Sequence, residues 1–338
     1  MPIDRVRHVH TLCIRISILI STDNSISEDA RTCKEPLIPT VHWHSPLPCH
    51  PAVGGAGLCV STVAIHRQMA AGAIPSCSAM TASTEAATAG ADGNSRHLEG
   101  EDITVYQYKI CPFCNKLKVV MDFLGIPYSV TEVNPLTKKE IKFSEDYRKV
   151  PIVRMGGELF KDSPVIIDEL IARLRETKVM SDEEHAVFCS SDAKKWAEWA
   201  DKQLAVLLFP NLTRNFSESY QAFSYVNDVD TFSMMDKVSN QVIGSAAMWA
   251  AQGKIKKKYN IDDEREALFS AIKDWTDALG EVDGPFFGGD RPNLGDLCVF
   301  GCIRAIEGLD THKDVLARQG VGAWYQSMVS TLDYAPSA

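Results

Sequence analysis

The sequence predicts a thioredoxin-type α/β domain followed by an all-helical domain. Strand and helix signals alternate in the order βαβαββα between residues 103 and 174, and beyond Asp182 apolar residues recur at helical spacing with no convincing strand. The chain has 338 residues, of which 45% are apolar and 23% charged, which suits about two globular domains. We therefore predict a segment at 1–100, an α/β domain at 101–178 and a helical domain at 182–332.

The first α/β elements surround a Cys-Pro-Phe-Cys motif. Residues 103–108 are β-branched and aromatic, which predicts a strand. The segment after Cys111 predicts an amphipathic helix that ends at Gly125. Its predicted apolar face is formed by Phe113, Leu117, Val120, Met121 and Leu124, and its predicted polar face by Asn115, Lys116, Lys118 and Asp122.

Turn and capping signals predict the other α/β elements. Residues 127–133 predict a second strand and residues 138–144 a short helix. Two further strands, at 150–153 and 158–160, flank a Gly-Gly turn. A last helix is predicted to begin with Ser163 as its N-cap and Pro164 in the first position. Its predicted buried face contains Ile166, Ile167, Leu170, Ile171 and Leu174.

The predicted helical domain contains four strong helices. They are expected at 184–208, 238–251, 263–279 and 294–309, the last opened by a capping box at Asn293 and Asp296. The lysine-rich run at 254–258 is interpreted as a solvated turn. Cys298 and Cys302 lie one turn apart on an apolar helix with no third ligand nearby, so we interpret them as buried small hydrophobes and predict no metal site.

The first hundred residues differ in composition from the rest. Residues 36–84 contain no Asp or Glu and are rich in Ser, Thr, Ala, His and Pro, so they are not expected to form a core. This composition suits a chloroplast or mitochondrial presequence. The alternatives are that this segment is disordered, or that translation begins at Met69. The location alternative to an organelle is a membrane-associated or cytoplasmic protein. The net charge of −9 without a basic stripe argues against a nucleic-acid partner.

The chemistry is predicted at Cys111. Ten cysteines are present, but only Cys111 and Cys114 have a functional spacing. A cysteine at the start of a helix faces unpaired backbone N–H groups, which favour the thiolate, and we expect Lys109 and Lys116 to add positive charge. Cys111 is therefore the predicted nucleophile and Cys114 the resolving thiol. The alternative, half of a zinc site, would need a second pair of ligands that the body of the chain does not offer.

Two further segments suit a glutathione site. Val150-Pro151 precedes a strand, and a cis bond there would expose the Val150 backbone to an extended peptide. Asp162 and Ser163 lie at a predicted helix N-terminus, where a hydroxyl and N–H groups suit a carboxylate and Asp162 suits an α-amino group. Each signal alone also fits a simple turn or an N-cap.

A family resemblance extends over both predicted domains. The segments that carry it are the CPFC motif with residues 106–109, 132–135, 142–144, 147–152, 162–163, 196–201, 285–289 and 292–294. In this order they resemble the membrane-associated prostaglandin E synthase type 2 family, from about Asp102 to Tyr325.

The resemblance implies a glutathione S-transferase-like C-terminal domain and an isomerase that converts prostaglandin H2 to prostaglandin E2. It implies a homodimer that binds glutathione, and haem with it. Cys111 matches the catalytic residue of the family. The residues that match the glutathione contacts of the family are Tyr108, Phe113, Val150, Asp162 and Ser163. We add Pro151 to the predicted glutathione site because its bond to Val150 sets the backbone geometry there.

Three interpretations of the function stay open at this stage. The first is a glutathione-dependent isomerase acting on a lipid endoperoxide, with peripheral membrane association as one mode of access. The second is a glutaredoxin-like thiol–disulfide oxidoreductase or a glutathione transferase, which CxxC chemistry predicts more directly. The third is a glutathione- or haem-binding protein without turnover.

Overall fold

The computed structural model describes residues 102–334. These residues all fall within one compact unit. The predictions for residues 1–100 lie outside the described range, and the limits proposed for the two domains stay predictions. Among the described residues, no helix is both long and apolar enough to cross a bilayer.

The α/β part contains a mixed four-stranded sheet. Its strands are β1 (Thr104–Gln107), β2 (Ser129–Glu132), β3 (Ile152–Met155) and β4 (Glu158–Lys161), and its helices are α1 (Pro112–Phe123) and α2 (Ser163–Glu176). The sheet order is β2-β1-β3-β4, with β1 parallel to β2 and antiparallel to β3. This arrangement confirms the predicted thioredoxin-like sheet. The Gly156-Gly157 turn is also confirmed, with both residues at positive φ, 58° and 87°.

The helical part follows without a further strand among residues 182–334. Its helices are α3 (Asp182–Phe188), α4 (Ser191–Trp199), α5 (Ala205–Leu212), α6 (Phe216–Ala222), α7 (Met234–Ser239), α8 (Ser245–Tyr259), α9 (Glu264–Leu279), α10 (Leu294–Arg304), α11 (Asp310–Leu316) and α12 (Val321–Thr331). Short π-helical turns at Ala200–Leu204 and Asn240–Gly244 join α4 to α5 and α7 to α8. The predicted all-helical second part is therefore confirmed.

Several predicted element limits are wrong for local reasons. The short helix at 138–144 is only a 3₁₀ turn, Lys139–Ile141, because Ile141 is its one buried residue. The helix at 184–208 is interrupted, since the Ser190 hydroxyl accepts from the N–H of Ala193 at 3.2 Å and starts a new helix. Residues 254–258 lie in α8 rather than in a turn.

Capping explains where α10 begins, and the start of α2 differs from the prediction. The Asn293 side chain accepts from the N–H groups of Gly295 and Asp296, and Asp296 accepts from the N–H of Asn293, which confirms the capping box. The helix it opens ends at Arg304, earlier than predicted. In α2 the N-cap is Asp162, and Ser163 is the first helical residue, so the predicted role of Ser163 as N-cap is wrong.

Helix α1 is buried on two sides. Its predicted apolar residues Leu117, Val120 and Met121 are fully buried in the main core. The prediction that Asn115, Lys116 and Lys118 form an exposed polar face is wrong, because all three are at least nine-tenths buried. Helix α10 packs against that face, and a Cβ on Gly301 would lie only 2.3 Å from the Cα of Lys116.

This close approach predicts a large effect of a small substitution. We expect Gly301→Ala to lower the free energy of unfolding by about 1–3 kcal/mol, because the added methyl meets the backbone of α1 rather than a flexible side chain. Urea unfolding measures the change. Gly253→Ala in α8 is the matched control, since its Cβ would meet no atom within 4 Å. Equal stability of the two variants would contradict the tight α1–α10 contact.

Candidate functional site

Cys111 lies at the N-terminus of α1 with its side chain half-buried. It is the N-cap residue, in an extended conformation, and Pro112 follows in the first helical turn. Its own N–H donates to the carbonyl of Tyr108 at 2.9 Å, which closes the turn that leads into the helix. Cys111 and Cys114 are both free thiols, so neither sulfur is tied in a disulfide.

The pKa values of the two cysteines are shifted in opposite directions. The pKa of Cys111 is lowered, chiefly because the Cys114 side chain donates a hydrogen bond to its sulfur, with further donation from the N–H groups of Cys114 and Phe113, while burial opposes the shift. The pKa of Cys114 is raised well above its usual value by burial and by its contact with Cys111. The arrangement therefore favours a Cys111 thiolate beside a protonated Cys114 thiol.

The two lysines that were predicted to add positive charge near Cys111 lie beside carboxylates instead. Lys116 Nζ pairs with the Asp201 carboxylate in the π-turn after α4, so the expectation that it supplies charge to Cys111 is wrong. Lys109 Nζ lies 3.7 Å from the Asp228 carboxylate, and both side chains are exposed. Hydrogen bonds, rather than these lysines, are the main cause of the lowered pKa of Cys111.

An apolar cluster brings several predicted site residues together. Val150 and Cys114 are buried in it, and Tyr108, Tyr147 and Cys111 pack against it. The Val150–Pro151 peptide bond is cis, which is the geometry that the glutathione interpretation of this pair requires, and it leads directly into β3. The fold therefore brings Tyr108, Cys111, Cys114, Val150 and Pro151 close together.

Asp162 and Ser163 lie at the start of α2. Asp162 has a φ of 73°, and its charge contributes to the raised pKa of Tyr147, after burial, which places it beside the cysteine cluster. The Ser163 side chain is fully buried, and its Oγ has no hydrogen-bond partner among the described residues. A buried hydroxyl without a partner at a helix N-terminus fits an anionic ligand group.

Phe113 lies on the other side of Cys111. Its ring packs against the main core, and its backbone N–H contributes to the lowered pKa of Cys111. Its predicted role as a glutathione contact stays a prediction.

Sequence reasoning missed three groups around the thiols. Tyr225, in the 3₁₀ segment Phe223–Asp228, is almost fully buried, and its pKa is raised by burial and then by Glu132, Tyr108 and Cys111. Tyr147 and Glu132 had been noted only within the resembling segments. Tyr225 carried no local signal, because it lies more than a hundred positions from Cys111 in the chain and reaches the site only through the fold.

Other features of the described residues do not add to this site. An open cleft of about 500 Å³ lies in the helical part and is lined by residues that include Lys202 of the π-turn before α5, Tyr259 of α8 and Asp274 of α9, and none of the thiol-cluster residues lines it. Between residues 102 and 334, no group of three or more His, Cys, Asp or Glu side chains is arranged to hold a metal ion. Cys298 and Cys302 are buried, as predicted.

The sheet, the thiol at the start of α1 and the helical part define a protein of the glutathione transferase class. A family model for the glutathione S-transferase N-terminal domain matches residues 105–178. Prostaglandin E synthase 2 from Mus musculus is 34% identical over 276 residues, which is 70% of this chain and 71% of the relative. The Danio rerio protein of that name is 34% identical over 265 residues, 67% and 70% of the two chains. The chain belongs to the prostaglandin E synthase 2 family.

Solved structures show a more distant likeness. A glutathione S-transferase-I bound with lactoylglutathione is 15% identical, with a TM-score of 0.44, and the match covers 69% of this chain and 97% of that one. The family membership and the matched domain support an enzyme of glutathione-transferase type.

Proposed function

We propose that this protein is a glutathione-dependent isomerase that converts prostaglandin H2 to prostaglandin E2 through the thiol of Cys111. The observation that carries the proposal is the free, half-buried Cys111 thiol at the start of α1, whose lowered pKa makes it a stronger proton donor while it is protonated. Family membership supports the choice of substrate, because the relatives from mouse and zebrafish are named prostaglandin E synthase 2.

The residues present fit glutathione. The unpartnered Ser163 hydroxyl and the N–H groups of α2 suit a carboxylate of the peptide, and Asp162 suits its ammonium group. The Val150 backbone, before the cis bond, suits an extended peptide. Glutathione would supply a second thiol at this site. Haem and a homodimer stay predictions from the family resemblance.

The proposed chemistry is an isomerisation without net oxidation or reduction. The O–O bond of the endoperoxide breaks heterolytically, and the Cys111 thiol gives its proton to the oxygen that becomes the hydroxyl. A base takes the hydrogen from the carbon that bears the other oxygen, and the electron pair of that C–H bond forms the ketone as the O–O pair leaves. The proton taken by the base balances the one given by Cys111.

A second candidate function is thiol–disulfide exchange with glutathione mixed disulfides. The observation that favours it is the buried Cys114 thiol in direct contact with Cys111, as a resolving thiol requires. In this reaction the Cys111 thiolate attacks the disulfide, and the departing thiolate takes up a proton from water.

The pH dependence of the two reactions separates these functions. Proton donation needs the Cys111 thiol, so isomerisation should decline as the pH rises through the pKa of Cys111. Exchange needs the thiolate, so it should increase over the same range. We expect the protein with glutathione to form prostaglandin E2 from prostaglandin H2 with a declining profile, measured by mass spectrometry of the products.

Boiled protein and protein without glutathione are the controls for this assay. A product mixture equal to that of boiled protein would reject the isomerase. Rapid reduction of a glutathione mixed disulfide in the same preparation would then establish the second function, and glutathione binding without either reaction would establish a non-catalytic binder.

A further inference from the structure

The carboxylate of Glu132 is anchored behind the loop that carries Cys111. Glu132 is the last residue of β2 and pairs in register with Gln107, the last residue of β1. One carboxylate oxygen accepts from the backbone N–H of Lys109 at 2.7 Å, and the other accepts from Nε2 of Gln107 at 3.0 Å. The carboxylate is thereby held at the backbone of Lys109, which is two positions before Cys111 in the chain.

The same loop is held from its other side by α1. The Asn115 side chain donates to the carbonyl of Lys109 at 2.6 Å and to that of Cys111 at 3.0 Å. The Lys109 peptide is therefore clamped between Glu132 on the sheet and Asn115 on the helix. The clamp thereby fixes the backbone just before Cys111 relative to the Glu132 carboxylate.

The charged and titratable groups that face Glu132 come from the loop, from α1 and from the helical part. They are Tyr108, Lys109, Cys111, Lys118 and Tyr225, with Cys114 and Arg304 facing Lys118 behind them. Burial raises the pKa of Glu132 to about 7, against the hydrogen bonds from Lys109 and Gln107 and the charge of Lys118. Burial lowers the pKa of Lys118 to about 8.

We propose that Glu132 is a positioning residue that controls the ionisation of Cys111, by fixing the loop through Lys109 and by opposing the thiolate with its own negative charge. The proposal rests on the proposed function, since it concerns the same thiol. It makes the reactivity of Cys111 depend on a second group that changes charge near neutral pH, so the two groups titrate as a coupled pair.

The sign of the coupling follows from the charges. Ionised Glu132 raises the pKa of Cys111, whereas protonated Glu132 does not. Thiolate formation therefore becomes harder as the pH rises through about 7, the pKa of Glu132. Removing the charge while the loop stays in place should lower the pKa of Cys111.

Glu132→Gln separates charge from position. The amide oxygen can still accept from Lys109, and its NH2 can donate to the Gln107 oxygen, which is buried and without a partner among the described residues. The rate of Cys111 alkylation by iodoacetamide, followed by peptide mass spectrometry, reports the thiolate fraction at each pH. We expect the midpoint of Glu132→Gln to move to lower pH, because the charge that opposes the thiolate is removed.

Glu140→Gln is the matched control, because Glu140 also accepts a backbone N–H, from Asn134 at 2.9 Å, and should leave the midpoint unchanged. A folded Glu132→Gln protein with the wild-type midpoint would overturn the proposal. Alkylation requires neither prostaglandin nor glutathione, so the result is independent of whether the isomerase activity exists.

A second measurement uses the wild-type chain and needs no variant. Coupling is reciprocal, so alkylation of Cys111, which removes the thiolate, should lower the pKa of the Glu132 carboxyl. Carboxyl-carbon NMR of protein labelled in its glutamates follows this titration before and after alkylation. If no glutamate carboxyl changes its titration midpoint, the proposed control of Cys111 by Glu132 is wrong, even where Glu132→Gln fails to fold.

Discussion

Replacing Cys111 with serine is expected to lower prostaglandin E2 formation by at least about 100-fold, a typical loss when a positioned proton donor is removed. The hydroxyl is a much weaker acid than a thiol whose pKa is already lowered by Cys114 and the N–H of Phe113. The substitution keeps the size and polarity of the side chain at the N-cap, where serine is itself a preferred residue. Product analysis from prostaglandin H2 measures the loss.

Binding and a second cysteine control this experiment. Glutathione affinity should be largely kept in Cys111→Ser, since Val150, Asp162 and Ser163 are unchanged. Cys189→Ser, at the end of α3 and away from the thiol cluster, should retain the wild-type rate. Wild-type turnover by Cys111→Ser would remove this thiol from the proposed chemistry.

The location of the reactive cysteine could be predicted because its signals are local. Pro112 after Cys111 fixes the helix start, and the apolar spacing from Leu117 to Leu124 fixes which side of α1 enters the core. The strand after Val150-Pro151 and the helix that begins at Ser163 are indicated by short motifs in the same way. Each of these predictions depends on residues within one or two turns of the chain.

The parts that could not be predicted depend on contacts across the fold. Lys116 and Lys118 have the spacing of a solvent-exposed face, but both are buried, and α10 packs closely against Lys116 at Gly301. Tyr225 enters the site from a 3₁₀ segment whose sequence indicates no chemistry. The effect of Glu132 on Cys111 arises from the pairing of β1 with β2 and from burial, which a charge pattern in the sequence does not reveal.

Lys116 gives the largest expected effect on stability. Its side chain is only 2% exposed and forms an ion pair with Asp201, 85 positions further along the chain, which is 18% exposed. We expect Lys116→Met to lower the free energy of unfolding by about 3–5 kcal/mol, because Asp201 would keep a largely buried charge without its partner. Chemical denaturation measures the change as a shift of the unfolding midpoint.

A double variant that also replaces Asp201 tests whether the unpaired charge causes the loss of stability. Lys116→Met combined with Asp201→Leu should recover most of the loss, since replacing both members of a buried pair with apolar residues removes the unpaired charge. Lys202→Met, at the position next to Asp201, is the matched control. It breaks the exposed ion pair of Lys202 with Glu198 and should lower the free energy of unfolding by no more than about 1 kcal/mol. If the double variant were as unstable as Lys116→Met, lost packing between α1 and α10 would account for the instability. Recovery of the free energy of unfolding in the double variant would instead show that the unpaired charge causes the loss. The Lys116–Asp201 ion pair would then be the contact through which α1, the helix that begins after Cys111, is joined stably to the helical part.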